Sequence, residues 1–307
     1  MAAKLTRSGH LRAVNADCRC RARHRIVIVR CPMPFYLLDR EPVAAGLRRI
    51  AHEQIAIALR DVADEALPVH HRVHSLRSRC KKMRGLLRLA GPLMGEAFEI
   101  EDQRFHAAAR AVAAPRDRAV FARTMTSLKH SNDPEASPDE QVPVPAIEEA
   151  HELMAACEAA VDDWPLPVEA FADLAPGFSA TYRKCLAAWH EVLRHPRDAN
   201  FHVLRKWTKY HWYQIRILER LNKHVLRRRR KQFHKLQLTL GDAHDLVLLH
   251  ASLEKAGRNV RLSKRAIARK EDLYERAVKL GHGAFRKTAD ELVADLARYW
   301  ADKSASS

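Results

Sequence analysis

The chain repeats itself at a fixed distance of 128 residues, and this repeat constrains its fold more than any other feature. The motif His-x-x-Arg-x-x-x-Lys begins at His74 and recurs at His202. The same shift places Pro68 on Pro196, Arg88 on Arg216, Phe105-His106 on Phe233-His234 and Asp117 on Asp245. One offset that holds at separate places without a gap predicts two copies of one structural unit, packed about a pseudo-twofold axis.

Hydrophobic periodicity indicates that both copies are helical. From about residue 41 onward, apolar side chains recur at three- and four-residue spacing, and Gly is scarce, with 10 in 307 residues. Pro-bearing breaks separate the periodic segments, where a bundle would place its turns. We therefore expect an all-α protein. In the second copy the pattern predicts one helix over 226–240 and another over 244–256, with a turn at Leu240-Gly241.

Composition divides the chain into a basic extension and one folded domain. Residues 1–33 are rich in Arg and show no helical or strand period, and we interpret them as a disordered or non-native N-terminal extension rather than a transit peptide. Residues 34–307 are expected to form a single domain. Its first repeat covers about 34–130, a polar and proline-rich linker covers 131–145, and the second repeat covers about 146–300.

Net charge narrows the class of partner. The chain has 54 Lys and Arg against 37 Asp and Glu, a formal net charge of +17. Such an excess indicates a polyanionic partner, which is nucleic acid, an anionic membrane surface or a phosphate polymer. No run approaches the ~18 apolar residues of a membrane-spanning helix, and we expect no membrane partner. The six cysteines form no disulfide framework, which favours a reducing, cytoplasmic location.

Two predicted helices carry cationic stripes without carboxylates. No acid occurs between Glu65 and Glu96, or between Asp198 and Glu219. Like charges one turn apart destabilise an isolated helix, so the repetition of such a stripe points to an anionic ligand that offsets this cost. The candidate ligand-binding residues are His74, Arg77, Lys81, Lys82, Arg84 and Arg88 in the first stripe and His202, Arg205, Lys206, Lys209 and Arg216 in the second.

These motifs resemble those of the CHAD family, the conserved histidine α-helical domain. The stripes at 74–88 and 202–209, Pro176-Gly177-Phe178 and Leu240-Gly241-Asp242 are similar to the family's repeat, and the resemblance covers about residues 35–299. It implies two repeated four-helix bundles with pseudo-twofold symmetry around a basic central groove. It also implies binding of inorganic polyphosphate, as a non-catalytic or granule-targeting module that needs no cofactor.

The resemblance adds expectations about further residues, domains and location. Arg183 and Lys184 follow the similar opening of the second repeat and are additional candidate polyphosphate ligands. Some family members carry a triphosphate tunnel domain, but its Glu-x-Glu-x-Lys signature does not occur in this sequence. We therefore expect a stand-alone member located in the cytoplasm, at polyphosphate granules, with granule proteins as further candidate partners.

Other functions stay open on the sequence alone. Trp207, Tyr210, Trp212 and Tyr213 lie among the basic residues of the second stripe, and such a mixture holds single-stranded nucleic acid by stacking. A scaffold for an acidic protein partner is a further alternative. Neither is excluded by the residues, although the first stripe contains no aromatic side chain.

The paired residues Asp117 and Asp245 invite a catalytic interpretation, which we reject. Cleavage of a phosphoanhydride usually needs carboxylates clustered around a metal ion. A single Asp after a turn in each copy is typical of a helix cap or an arginine partner. The spacings of His and Cys also lack a complete set of metal ligands, so the sequence predicts neither an enzyme nor a metal site.

Overall fold

A computed structural model describes residues 35–38, 41–112, 124–125, 128, 144–255, 257 and 259–304. This part of the chain is helical and contains no strand, which confirms the prediction of an all-α protein. The predicted extension 1–33, most of the predicted linker and Asp117 lie outside the described residues. The α-helices are α1 (Val43–Ala63), α2 (Val69–Met94), α3 (Ala97–Ala111), α4 (Val144–Ala160), α5 (Ala175–Arg194), α6 (Asp198–Leu218), α7 (Lys223–Lys255), α8 (Val260–Ala284) and α9 (Ala289–Ser304).

Neighbouring helices in the sequence pack side by side. In the first half, α1 packs against α2 and α4, and α3 packs against the same two helices. In the second half, α6 packs between α5 and α7, α8 lies along α7, and α9 packs on α5. Each helix contributes an apolar face, such as Leu47, Ile50 and Ile55 of α1. Most of these faces form one hydrophobic core that extends through both halves, and a second, smaller cluster lies between the C-terminal part of α7 and α8.

Helices α2 and α6 join the two halves in close contact. A Cβ atom on Gly85 would lie 3.0 Å from the Cβ atom of Tyr213, so the absence of a side chain at Gly85 permits this approach. The side chain of Gln214 donates from Nε2 to the carbonyl oxygen of Gly85 at 3.3 Å and to Oγ1 of Thr181 at 2.9 Å. These bonds satisfy buried polar groups and tie α5 and α6 to α2 at the crossing.

The predicted turn at Leu240-Gly241 is wrong, because α7 runs unbroken over 33 residues. Glycine inside a helix costs about 1 kcal/mol relative to alanine. Burial of Leu236 and Leu240 in the main core, and of Ala243 and Leu249 in the second cluster, offsets this cost. As a result, Asp245 lies inside a helix, and its interpretation as a helix cap is also wrong.

We expect Gly177→Ala to destabilise the protein, because a Cβ atom at this position of α5 would overlap the carbonyl oxygen of Leu89 in α2. Overpacking of this kind costs about 1–3 kcal/mol. Gly283→Ala in α8 is the matched control, since its nearest neighbouring atom would lie 3.7 Å away. The free energy of unfolding, measured in urea, should fall for the first variant and stay constant or rise for the second. Equal stability of the two variants would contradict the packing of α5 on α2.

Candidate functional site

The two predicted stripes lie on neighbouring helices, and the charges of one stripe affect pKa values in the other. Partial burial lowers the pKa of His202 in α6, and the positive charges of Arg205, Lys206 and Lys81 lower it further. Because Lys81 belongs to α2, this effect crosses from the first stripe to the second. The Nδ1 atom of His202 also lies 3.4 Å from Nδ1 of His244 in α7.

Lys206 extends this contact between the stripes. Its side chain is exposed on α6, and partial burial and the charges of Arg88 and Arg84 in α2 lower its pKa. Its ammonium group lies 5.1 Å from the centre of the Trp207 ring. The structure thus brings residues of both stripes to one surface, which we call the α2–α6 surface and define by Lys81, Arg84, Arg88, His202, Arg205 and Lys206.

Two arginines of this surface share a carboxylate that the sequence did not reveal. Asp102 of α3 accepts from Nε of Arg84 at 2.9 Å and from Nη1 of Arg88 at 2.5 Å. Burial alone would raise the pKa of Asp102, but the hydrogen bonds and charges of Arg84 and Arg88 outweigh it and lower the pKa to about 2. One negative charge therefore compensates part of the first stripe. We call these three residues the Asp102 cluster.

The equivalent residues Arg77 and Arg205 point toward the helix that follows their own. Nη1 of Arg77 donates to the carbonyl oxygen of Ala109 in α3. Nε of Arg205 lies 4.0 Å from the place where a Cβ of Gly241 in α7 would be. Both arginines are half-buried, so they contribute to packing between helices as well as to the charge of the surface.

On the other side of the crossing, two cations lie over the ring of Phe35, and a third shares a buried amide oxygen with one of them. Lys82 and Arg216 lie over its ring, with their charged groups 5.1 and 5.2 Å from the ring centre. Oε1 of the buried Gln54 accepts from Nζ of Lys82 at 2.8 Å and from Nη1 of Arg79 at 2.7 Å. We call Phe35, Gln54, Arg79, Lys82 and Arg216 the Phe35 cluster. Arg79 was not predicted, because it lies off the stripe on the helix and only the folded arrangement brings it to Arg216.

The remaining predicted ligands lie on α2, α5 and α6. Nη2 of Arg183 donates to Oδ1 of Asp290 in α9 at 2.6 Å, which ties this arginine to α9. Lys184 and His74 are exposed on α5 and α2. Nζ of Lys209 lies 5.9 Å from the centre of the Tyr213 ring, beside the helix crossing.

The aromatic residues of the second stripe pack inward to different extents. Tyr210 and Tyr213 are buried, and the guanidinium of Arg88 lies 4.3 Å from the centre of the Tyr210 ring. Trp207 and Trp212 are partly buried against the core, and Arg216 lies 5.1 Å from the centre of the Trp212 ring. Arg88 and Arg216 of the protein itself thus lie against these rings, and such cation–π contacts stabilise the two arginines in their observed positions.

The part of the chain that the structure describes contains neither a metal-binding cluster nor a membrane-spanning helix. No three His, Cys, Asp or Glu side chains in this part of the chain are grouped so that they could hold a metal ion. Among the described helices, none combines the length and the apolar character that crossing a bilayer requires.

Fold and surface together define an all-helical protein with a cationic surface where two equivalent helices cross. A family model named CHAD domain matches residues 47–254. The chain therefore belongs to the CHAD-domain family, as the stripe motifs indicated. No curated protein and no solved structure matches the chain.

We expect Asp102→Asn to destabilise the protein at neutral pH by about 3 kcal/mol, because it leaves two half-buried arginines without their carboxylate. Since folding lowers the pKa of Asp102 from about 4 to about 2, the carboxylate stabilises the native state above about pH 4. This contribution is lost as the pH falls through about 2. The difference in unfolding free energy between wild type and variant should therefore be smaller at pH 3 than at pH 7.

Asp272→Asn is the matched control for this prediction. Asp272 is exposed and lies 4.0 Å from Arg269 on α8, and an exposed pair of this kind contributes at most about 1 kcal/mol. Denaturant unfolding at pH 7 and pH 3 measures both variants. An Asp102→Asn variant as stable as the control at pH 7 would exclude a stabilising role for the Asp102 cluster.

Proposed function

We propose that this protein binds inorganic polyphosphate on the α2–α6 surface as a non-catalytic module. The observation that carries the proposal is the convergence of the two cationic stripes, in which Lys81 acts on His202 and Lys206 is influenced by Arg84 and Arg88. Membership of the CHAD-domain family, a family related to polyphosphate, supports the same ligand.

The chemistry of the ligand matches the spacing of the stripes. Each internal phosphate of the polymer carries about one negative charge, and the charges repeat every few ångströms. Cationic residues one helical turn apart, about 5.4 Å along the axis, can follow such a chain. Arginine contributes planar, bidentate hydrogen bonds to phosphate oxygens, and lysine contributes a compact charge. Phosphate contacts position a ligand without reading a base sequence.

We further propose an arrangement for the whole fold. The two halves would be four-helix bundles related by a pseudo-twofold axis, with the basic groove along that axis. The contact between Gly85 and Tyr213 supports this arrangement, because the two residues are 128 apart and a twofold axis brings equivalent positions together. All of the candidate ligands from the two stripes, together with Arg183 and Lys184, are assigned to the polyphosphate site in this proposal.

The proposed physiological role is that of a binding or granule-targeting module. A protein that holds polyphosphate without cleaving it would reside at polyphosphate deposits in the cytoplasm. Proteins associated with the same deposits are candidate partners, because they would be concentrated on the same polymer.

Charge reversal on the α2–α6 surface tests the proposal. We expect Lys81→Glu combined with Lys206→Glu to weaken binding of long-chain polyphosphate by at least about tenfold near physiological salt. The slope of log K against log salt concentration should decrease by about 1.5, since each lost contact removes roughly 0.7 to 0.9. Calorimetric titration at several salt concentrations measures both quantities.

The matched control is Arg261→Glu combined with Lys264→Glu, which changes the net charge equally at exposed positions of α8. Circular dichroism confirms that both double variants keep their helix content. If the control loses as much affinity as the α2–α6 variant, binding depends on net charge alone and the assigned surface is wrong.

A further inference from the structure

The two sides of the helix crossing are equivalent by sequence but differ in charge. The repeat that places Arg88 on Arg216 also places Asp102 on Arg230, which lies 128 residues further along the chain. On one side, therefore, a carboxylate binds the arginines of the stripe. On the other side, the equivalent position holds Arg230, whose charge lowers the pKa of Arg216 in addition to the effect of burial.

The three cations of the Phe35 cluster have no ion pair among the described residues. Two carboxylates act on them from farther away, namely Asp61 on Arg79 and Glu219 on Arg216. Each is bound by another side chain, since Asp61 accepts from Oγ of Ser75 at 2.6 Å and Glu219 accepts from Nε of Arg230 at 2.8 Å. The cluster thus keeps an excess of positive charge in a half-buried position.

The excess of positive charge affects the pKa of Lys82, and the same cluster contains a buried donor of Arg79 that lacks an acceptor among the described residues. Burial, together with the charges of Arg79 and Arg216, lowers the pKa of Lys82 to about 7. Nε of Arg79 is buried and has no hydrogen-bond partner in the part of the chain that the structure describes. Like charges repel strongly where the dielectric constant is low, and a buried donor without an acceptor costs free energy. A bound oxyanion would relieve both costs.

We propose that Arg79, Lys82 and Arg216 form a subsite that binds one phosphoryl group, either as inorganic phosphate or as one unit of a phosphate chain. The subsite rests on the proposed function, because a chain on the α2–α6 surface delivers such a group to the crossing. The two guanidinium groups offer forked donors and Lys82 offers a compact charge. Gln54, with only 1% of its surface exposed, positions two of the three cations through one oxygen atom.

Chemical modification of Lys82 tests the subsite on the unaltered full chain. Acetic anhydride reacts with neutral amines, and a pKa of about 7 leaves Lys82 a much larger neutral fraction at pH 7 than the roughly one in 2,500 of an ordinary lysine. Peptide mass spectrometry follows the acetylation of Lys82, with the exposed Lys264 as the internal control. We expect a phosphoryl ligand to slow the modification of Lys82 at least about fivefold and to leave Lys264 unchanged.

The ligands are compared at equal total phosphate, as inorganic phosphate, tripolyphosphate and long-chain polyphosphate. Protection of Lys82 by inorganic phosphate assigns the subsite to the free ion, and protection by the chains alone assigns it to a unit of a polymer. Failure of all three to protect Lys82 would overturn the proposal.

Variants separate this inference from the proposed function. Lys82→Met and Arg216→Met should each weaken tripolyphosphate binding about tenfold, as expected for the loss of a charge-assisted contact, and Lys82→Arg should restore most of the affinity. Thermal unfolding verifies that the variants fold. If wild type binds long-chain polyphosphate and both Met variants bind it equally well, the subsite is wrong and the proposed function stands. If long-chain polyphosphate does not bind but inorganic phosphate protects Lys82, the subsite stands and the proposed function fails.

Discussion

The close contact between α2 and α6 is the constraint on which the rest of the surface depends. Gly85 leaves room for Tyr213, and Gln214 bonds across the junction to the backbone of α2. Each helix carries a row of like charges that is unfavourable in isolation. Because the two helices cross at this point, both rows reach one surface, and the repulsion within each row is joined by repulsion between them. The proposed anionic ligand would offset both.

The Asp102 cluster compensates part of this charge on one side of the crossing. Asp102 from α3 binds Arg84 and Arg88, which stabilises the contact of α2 with α3 and removes one positive charge from the surface. Among the described residues, no carboxylate forms an ion pair with the cations of the Phe35 cluster, and Lys82 keeps a lowered pKa there. Positions that are equivalent by the sequence repeat therefore carry different charges on the two sides of the crossing, so a bound anion would meet a different environment on each side.

The sequence predicted the features that depend on local periodicity and failed where long-range contacts decide. The helical class and the two stripes follow from spacing within single helices, and the structure confirms the helices and brings stripe residues together. The partnership of Asp102 with Arg84 was not predictable, since α3 could have turned that carboxylate to solvent. The role of Arg79 depends on how α2 crosses α6. The break expected at Gly241 did not form, because burial of the surrounding leucines outweighs the helix penalty of glycine.

If the proposed function is correct, the crossing of α2 and α6 creates a surface for a phosphate chain rather than for nucleic acid. The most direct test titrates the full chain with long-chain polyphosphate and with single-stranded DNA and RNA, at equal phosphate concentration and near-physiological salt. We expect polyphosphate to bind at least about tenfold more tightly, because Tyr210 and Tyr213 are buried and Trp207 and Trp212 are partly buried against the core, which leaves little ring surface on which bases can stack. Equal or tighter binding of DNA or RNA would contradict the account.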